Sequence, residues 1–334
     1  MPRNNLLYRS LFRLRNIARR LGDVFSSIAA RAFTVIARGF MHGLRQLDPD
    51  RSSDLCGRGA RRIGPWLPVS RTGRANLRAA FPEKTDAEIE KILAGVWENL
   101  GRVVGEFASL DRLWDWDPLR PDQGRIISLH SDRFFAARDS GKPSLNFGAH
   151  LANWELAAVG AAAHGADAAL LFRIPGVTIA AEIVQEIRSA NMGRLVPSSR
   201  TAVFQLAREI ERGAHVGMLV DQFWTGGPLV TFFGRQCPAN PTIARLARQY
   251  DCDVRGIRVV RLPGNRFRAE ATEPLDLPRD RQGKVDIAAT MQMITSIIEG
   301  WVREYPEQWL WLHRRWRDYH AHPKPWQRDL SGQS

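Results

Sequence analysis

Apolar and polar positions along the 334-residue chain change period several times, and each change predicts an element. From Ser70 to Leu110 the pattern is helical. Thr85-Asp86-Ala87-Glu88 has the spacing of a capping box, and Ile89, Ile92, Leu93, Val96, Trp97 and Leu100 follow on one helix face. Beyond it, short apolar runs alternate with helical stretches. Strands are predicted at Gly124–Leu129, Ser144–Phe147, Ala168–Phe172, Leu195–Pro197 and His215–Val220; helices are predicted from Ala152 onward and at Ile179–Ala190, Thr201–Arg212 and Ile243–Tyr250. This rhythm predicts an α/β fold with a central, mostly parallel sheet flanked by helices, preceded by a helical N-terminal region. Val254–Arg261 and Arg266–Ala271, on either side of Pro263-Gly264-Asn265, are predicted as an antiparallel hairpin, and Ile287–Val302 as a last amphipathic helix. Gly57–Pro68, rich in Gly, Arg and Pro, is expected to be a break.

Residues 1–47 interleave arginines (Arg9, Arg13, Arg20, Arg31, Arg38) with Leu, Ile and Phe at helical spacing. Asp23, Arg31 and Arg38 interrupt every long apolar run, so the pattern favours a helix lying in a headgroup layer over one that spans a bilayer. Packing on the protein's own core is the alternative. No signal-peptide core or cleavage site is present. The expected organisation is a basic amphipathic membrane-associating segment (1–56), one catalytic domain (57–320) and a polar tail (321–334). A net charge of +13, mostly from arginine, favours polyanionic partners: nucleic acid, anionic lipid, phosphorylated glycolipid or an acidic carrier protein. Cys56, Cys237 and Cys252 form neither a disulfide framework nor a metal spacing.

The chemistry concentrates in Lys142–Gly160. A short strand ends at Gly148, a loop carries His150, and Glu155 stands at the start of the Ala-rich helix. Five residues apart on one helix, the two side chains would diverge by about 140°, so they meet only if His150 is on the loop. A neutral His150 there can take a proton from a hydroxyl while Glu155 fixes its tautomer, and the free N–H groups at the helix start can stabilise negative charge. There is no P-loop, GxGxxG, HExxH or GxSxG, so a serine acyl-enzyme is not expected.

Gly148-Ala149-His150-Leu151-Ala152-Asn153-Trp154-Glu155-Leu156 closely resembles the signature of the bacterial lipid A late acyltransferases, part of the glycerolipid-type acyltransferase superfamily. Ala152 stands where that family usually has Gly; Ala adds a methyl and keeps helix propensity, so activity is expected to survive. Asn76-Leu77 with Ala80-Phe81-Pro82-Glu83, Trp97-Glu98-Asn99-Leu100-Gly101-Arg102, Val230-Thr231-Phe232-Phe233-Gly234 and Tyr305–Trp316 resemble further family blocks.

The resemblance implies His150 and Glu155 as catalytic residues. It implies Arg173, Asp221, Asn153, Trp154, Phe233, Gly234 and Arg314 as substrate-binding ones, with no metal and no cofactor. The donor would be an acyl-acyl carrier protein thioester, and the acceptor a hydroxyl on a 3-hydroxyacyl chain of a lipid A precursor. The site of action would be the cytoplasmic face of the inner membrane, against its anionic surface, with no nucleic acid partner. Read from strand position alone, Arg173 just past a strand can bind phosphate, and Asp221 at the end of another can support Arg173, orient a substrate or cap a turn. Two other readings stay open: acylation of a lysophospholipid or another glycolipid, and a non-catalytic basic protein binding membrane or nucleic acid.

Overall fold

The computed structural model describes residue 32, residues 34–173 and residues 178–317. The basic segment up to residue 31 and the polar tail from 321 lie outside the described residues. A helix over residues 34–46 (α1) leads into α2 (Pro49–Ile63), α3 (Ser70–Ala80) and α4 (Asp86–Phe107). The predicted capping box opens α4: the Thr85 hydroxyl accepts from the Glu88 amide and Glu88 accepts from the Thr85 amide. Phe81-Pro82 separates α3 from α4, as proline requires.

The expected break at Gly57–Pro68 is half helix, and the boundary drawn between 56 and 57 falls inside α2. Gly57, with Gly101 of α4, serves close helix packing. A Cβ on Gly57 would come within 2.6 Å of the Arg102 side chain, and one on Gly101 within 2.3 Å of the Cys56 carbonyl. The absence of a side chain at both positions lets α2 and α4 touch backbone to backbone, which a reading of glycine as punctuation misses.

The strands are β1 (Ile126–Leu129), β2 (Ser144–Gly148), β3 (Ala168–Phe172), β4 (Arg194–Pro197), β5 (His215–Leu219), β6 (Leu229–Phe232), β7 (Arg235–Pro238), β8 (Asp253–Leu262) and β9 (Arg266–Ala271). Seven form one sheet in the order β1-β9-β8-β2-β5-β3-β4, parallel except for the predicted β8/β9 hairpin. The α/β expectation holds. The helices between and after the strands are α5 (Ser131–Asp139), α6 (Leu156–Ala163), α7 (Thr178–Asn191), α8 (Ala202–Glu211), α9 (Thr242–Tyr250) and α10 (Ile287–Glu304). Helix α5 has no buried residue to give it a legible apolar stripe, and its sequence did not predict it. Among the described residues no helix is long and apolar enough to cross a membrane.

The central strands alternate between two faces. Leu145 and Phe147, Ala169 and Leu171, and Val216 and Met218 belong to, or pack against, the main core. Ser144, Asn146 and Gly148, Ala168, Leu170 and Phe172, and His215, Gly217 and Leu219 point to the other face and line a cavity. Strands covered on both sides by packed helices read as continuous apolar runs. The small and polar residues on this face of β2 and β5 already mark a surface left unfilled.

Candidate active site

The cavity holds about 940 Å³ between the sheet and α5, α6 and α7. Ala157, Ala158 and Ala161 form its wall on α6, with Leu170 and Gly217 opposite on the sheet. On the other side of α6, Gly160 lies so close to Trp114 that a Cβ would come within 2.4 Å of the indole, so the helix position is set from behind. His150, Gln222, Trp224, His313, Arg173 and Arg317 line the end at the carboxyl termini of the strands. Ligands bind at this end of parallel sheets.

His150 sits on the loop after β2, as expected. Its ring partner, however, is Asp221. Nδ1 lies 2.8 Å from Asp221 Oδ1, and the His150 amide donates to Oδ2 at 2.9 Å. The Trp309 indole donates to the same Oδ2 at 2.8 Å. Burial favours protonation of Asp221, but His150 beside it and these three hydrogen bonds outweigh it and hold the carboxyl at about 2. An ionised Asp221 can only accept, so the proton rests on Nδ1 and Nε2 keeps its lone pair as an acceptor. The Gln222 amide nitrogen lies 3.3 Å from Nε2, and the Trp154 ring packs edge-on against the imidazole at 5.2 Å.

Glu155 does not meet His150 through a hydrogen bond. Its carboxylate takes a two-pronged pair from Arg188 of α7, with Nε at 3.0 Å, and accepts from the Trp154 indole at 2.9 Å. The expected role of Glu155 in fixing the imidazole tautomer is filled by Asp221. Glu155 instead braces the helix start, through Trp154, against the ring on the other side.

The loop between them is not helical. Ala152 has φ of +49°, in the left-handed region that favours glycine, and the helix begins only at Leu156. The Glu155 amide donates to Asn153 Oδ1 at 3.2 Å and the Leu156 amide to the Asn153 carbonyl at 3.2 Å. These first helix-start donors are therefore committed internally, against the expectation that they face the reacting atoms. Asn153 is buried and outside the cavity; its amide donates to Glu106, which pairs with Arg261 beneath the loop. Asn99 donates to the Ala152 carbonyl, the Ala152 amide to Gln308, and Leu310 to the His150 carbonyl. The C-terminal block thus holds the loop by its backbone.

Of the other anticipated residues, Arg173 is exposed at the cavity mouth just past β3, and Trp154 lines the cavity. Phe233 and Gly234 lie elsewhere. They form the turn of the β6/β7 hairpin, with φ of +50° and +68°, and Phe233 is buried among Phe81, Trp311 and Trp316. Arg314 is exposed and does not line the cavity, whereas its neighbours His313 and Arg317 do. Burial lowers His313 to about 4, and its neutral Nε2 accepts from the Phe223 amide at 3.0 Å. Arg188, Gln222 and Arg317 were not anticipated. Gln222 was within reach, standing beside Asp221 at a strand end; nothing local marks Arg188, 33 residues from its partner. Among the described residues no group of three or more His, Cys, Asp or Glu side chains could hold a metal ion.

A carboxylate–imidazole pair whose ring lines a cavity walled by alanines on one side can deprotonate a hydroxyl held there. The arginines at the mouth can hold a phosphorylated or otherwise anionic group. In comparison with known proteins, the family model for bacterial lipid A biosynthesis acyltransferases matches residues 25–318. No curated protein matches the chain.

Proposed function

Because the chain belongs to the bacterial lipid A biosynthesis acyltransferases, we propose that it moves an acyl chain from an acyl-carrier-protein thioester to a hydroxyl on a 3-hydroxyacyl chain of a lipid A precursor. The observation that carries this reading is the pair His150–Asp221 at the mouth of an alanine-walled cavity of about 940 Å³. That volume falls in the range of pockets that enclose extended ligands. The thioester's acyl chain would lie against Ala157, Ala158 and Ala161, with its carbonyl at the mouth.

In the proposed step the acceptor hydroxyl loses its proton to His150 Nε2 as its oxygen attacks the thioester carbonyl carbon. Asp221 stabilises the imidazolium that forms, the role a buried carboxylate plays beside histidine in acyl transfer. The tetrahedral intermediate then expels the carrier thiolate, which takes the proton back from His150. No covalent enzyme intermediate is needed. Arg173 and Arg317 at the mouth suit the acceptor's phosphates or the phosphopantetheine link of the donor, and the net charge of +13 suits an acidic carrier protein. Action at the cytoplasmic face of the inner membrane, by peripheral attachment, fits the basic surface and the absence of a membrane-crossing helix among the described residues.

Mass spectrometry of lipid A precursor incubated with acyl-carrier thioesters tests the proposal. One added acyl chain with the native protein is expected, with the rate roughly 10³-fold lower for His150→Ala. Near-normal transfer by His150→Ala would overturn the mechanism. Acylation of a lysophospholipid in place of the precursor would overturn the acceptor.

A further inference from the structure

The turn between α2 and α3 presents an apolar surface to solvent that no described part of the chain covers. Trp66 is 88 % exposed and Ile63 63 %, with Leu67 and Val69 exposed beside them. Leu55 and Ile63 lie two turns apart on one exposed stripe of α2, which ends in this turn. Arg58, Arg62 and Arg71 stand exposed around it.

Most of the turn's carbonyls have partners within the chain. The carbonyl of Gly64 accepts from the Leu67 amide and the Ser70 hydroxyl, and that of Pro65 from Arg74. Those of Leu67, Pro68 and Val69 accept from the amides of Ser70, Arg71 and Thr72. Pro65 and Pro68 carry no N–H at all. Beneath the turn, Gly64 rests on the Trp97 ring, whose indole donates to Ser70. A surface of this kind loses less on leaving water than an open loop would, because most of its carbonyls have partners already.

We propose that this Trp66 turn inserts into the headgroup region of an anionic bilayer and is a membrane contact separate from the N-terminal basic segment. Tryptophan favours that depth, and the surrounding arginines complement acidic headgroups while their stems lie along the apolar layer. The contact also holds the cavity mouth near the bilayer. Asn76 of α3, about 9 Å along the helix from Ser70, donates to the carbonyls of Trp311 and His313, and the His313 ring lines the mouth. This deepens the peripheral attachment proposed above and rests on it for biological meaning, though its test does not depend on acyl transfer.

The test uses the full chain with vesicles of phosphatidylcholine and phosphatidylglycerol carrying brominated acyl chains. Residues 1–47 contain no tryptophan, so bromine quenching reports only the rest of the protein. Native protein is expected to bind and to lose tryptophan emission, and Trp66→Phe to bind while losing most of that quench. Trp66→Ser is expected to weaken partitioning about tenfold. Equal quenching in native protein and Trp66→Phe would overturn the proposal, as would failure of the native protein to bind anionic vesicles. Transfer to detergent-dispersed acceptor should be unchanged in Trp66→Ser. A native protein that is quenched as expected yet transfers nothing would refute the catalytic reading and leave the membrane contact standing.

Discussion

The end of β5 and the start of α6 each deliver one buried carboxylate to the neighbourhood of His150, and the two environments differ. Asp221 collects only the imidazole, the His150 amide and one indole, and is held at about 2. Glu155, inside the same short motif as the histidine, is taken by Arg188 and Trp154. A carboxylate neutralised by a guanidinium has little left with which to steady an imidazolium. One lined up on Nδ1, with no guanidinium hydrogen-bonded to it, keeps that capacity. Closeness in sequence thus picks out the carboxylate paired with Arg188, and closeness in space the one hydrogen-bonded to the imidazole.

The sharpest way to break that comparison is to neutralise the two carboxylates in turn. Asp221→Asn should lower kcat roughly 10³- to 10⁴-fold, because an amide that donates to Nδ1 turns the imidazole to the tautomer with no lone pair on Nε2. Glu155→Gln should lower kcat only about 10- to 100-fold, through small misplacement of the loop. Steady-state transfer assays on both variants decide it. If Glu155→Gln loses as much as Asp221→Asn at a temperature where both variants remain folded, Glu155 is the working partner after all.

The same substitution has a second readout in stability. The Glu155 side chain is 7 % exposed and that of Arg188 18 %, so removing one charge strands the other in a half-dry place. Breaking fully buried pairs costs about 3–5 kcal/mol, and the partial exposure of Arg188 brings the expected loss to about 2–3 kcal/mol. Pairing Glu155→Gln with Arg188→Met should recover most of it, since no unpaired charge is left. Urea unfolding of both variants measures this, and no recovery in the double variant would mean the pair is not the source of the loss.

His313 gives a smaller effect with a definite sign. Its folded value near 4 lies below the ordinary 6.5, so between those values the unfolded chain binds the proton that the folded one refuses. The neutral state contributes stability that is complete above about pH 6.5 and is lost as pH falls towards 4. Asp221 adds a separate loss only below its ordinary 3.8, towards 2. His313→Gln keeps an acceptor for the Phe223 amide and cannot titrate there. Its unfolding free energy should fall less than the native protein's between pH 7.5 and 4.5, by on the order of 2 kcal/mol. Parallel pH profiles would refute the assignment.

Much of the architecture was legible because it rests on local signals. The capping box at Thr85 opened α4, and the alternating short strands and helices gave the parallel sheet. His150 and Asp221 were marked by their places at strand ends. Their pairing was not legible: the two residues are 71 apart and meet only because β2 and β5 are neighbours in the sheet. Phe233 and Gly234 were singled out by the same resemblance as His150, yet they make a hairpin turn in the aromatic core. A recurring block records constraint of any kind, and only burial and direction separate packing from chemistry.

Ala152 supplies the finest test of the difference between motif and environment. Were it helical, as its composition suggested, Ala152→Gly would cost about 1 kcal/mol in propensity and roughly another for the lost methyl, about 2 kcal/mol in all. The observed φ of +49° changes the sign of the backbone contribution. Relief of the left-handed strain returns about 1–2 kcal/mol, against the methyl of a fully buried side chain and the added freedom of glycine in the unfolded chain. These terms nearly cancel, so Ala152→Gly should shift stability by less than about 1 kcal/mol and leave kcat within about twofold. A loss near 2 kcal/mol by urea unfolding would instead favour helical geometry at residue 152. The hydrogen bonds from Asn99 and to Gln308 that hold the loop under His150 would then have to be drawn differently.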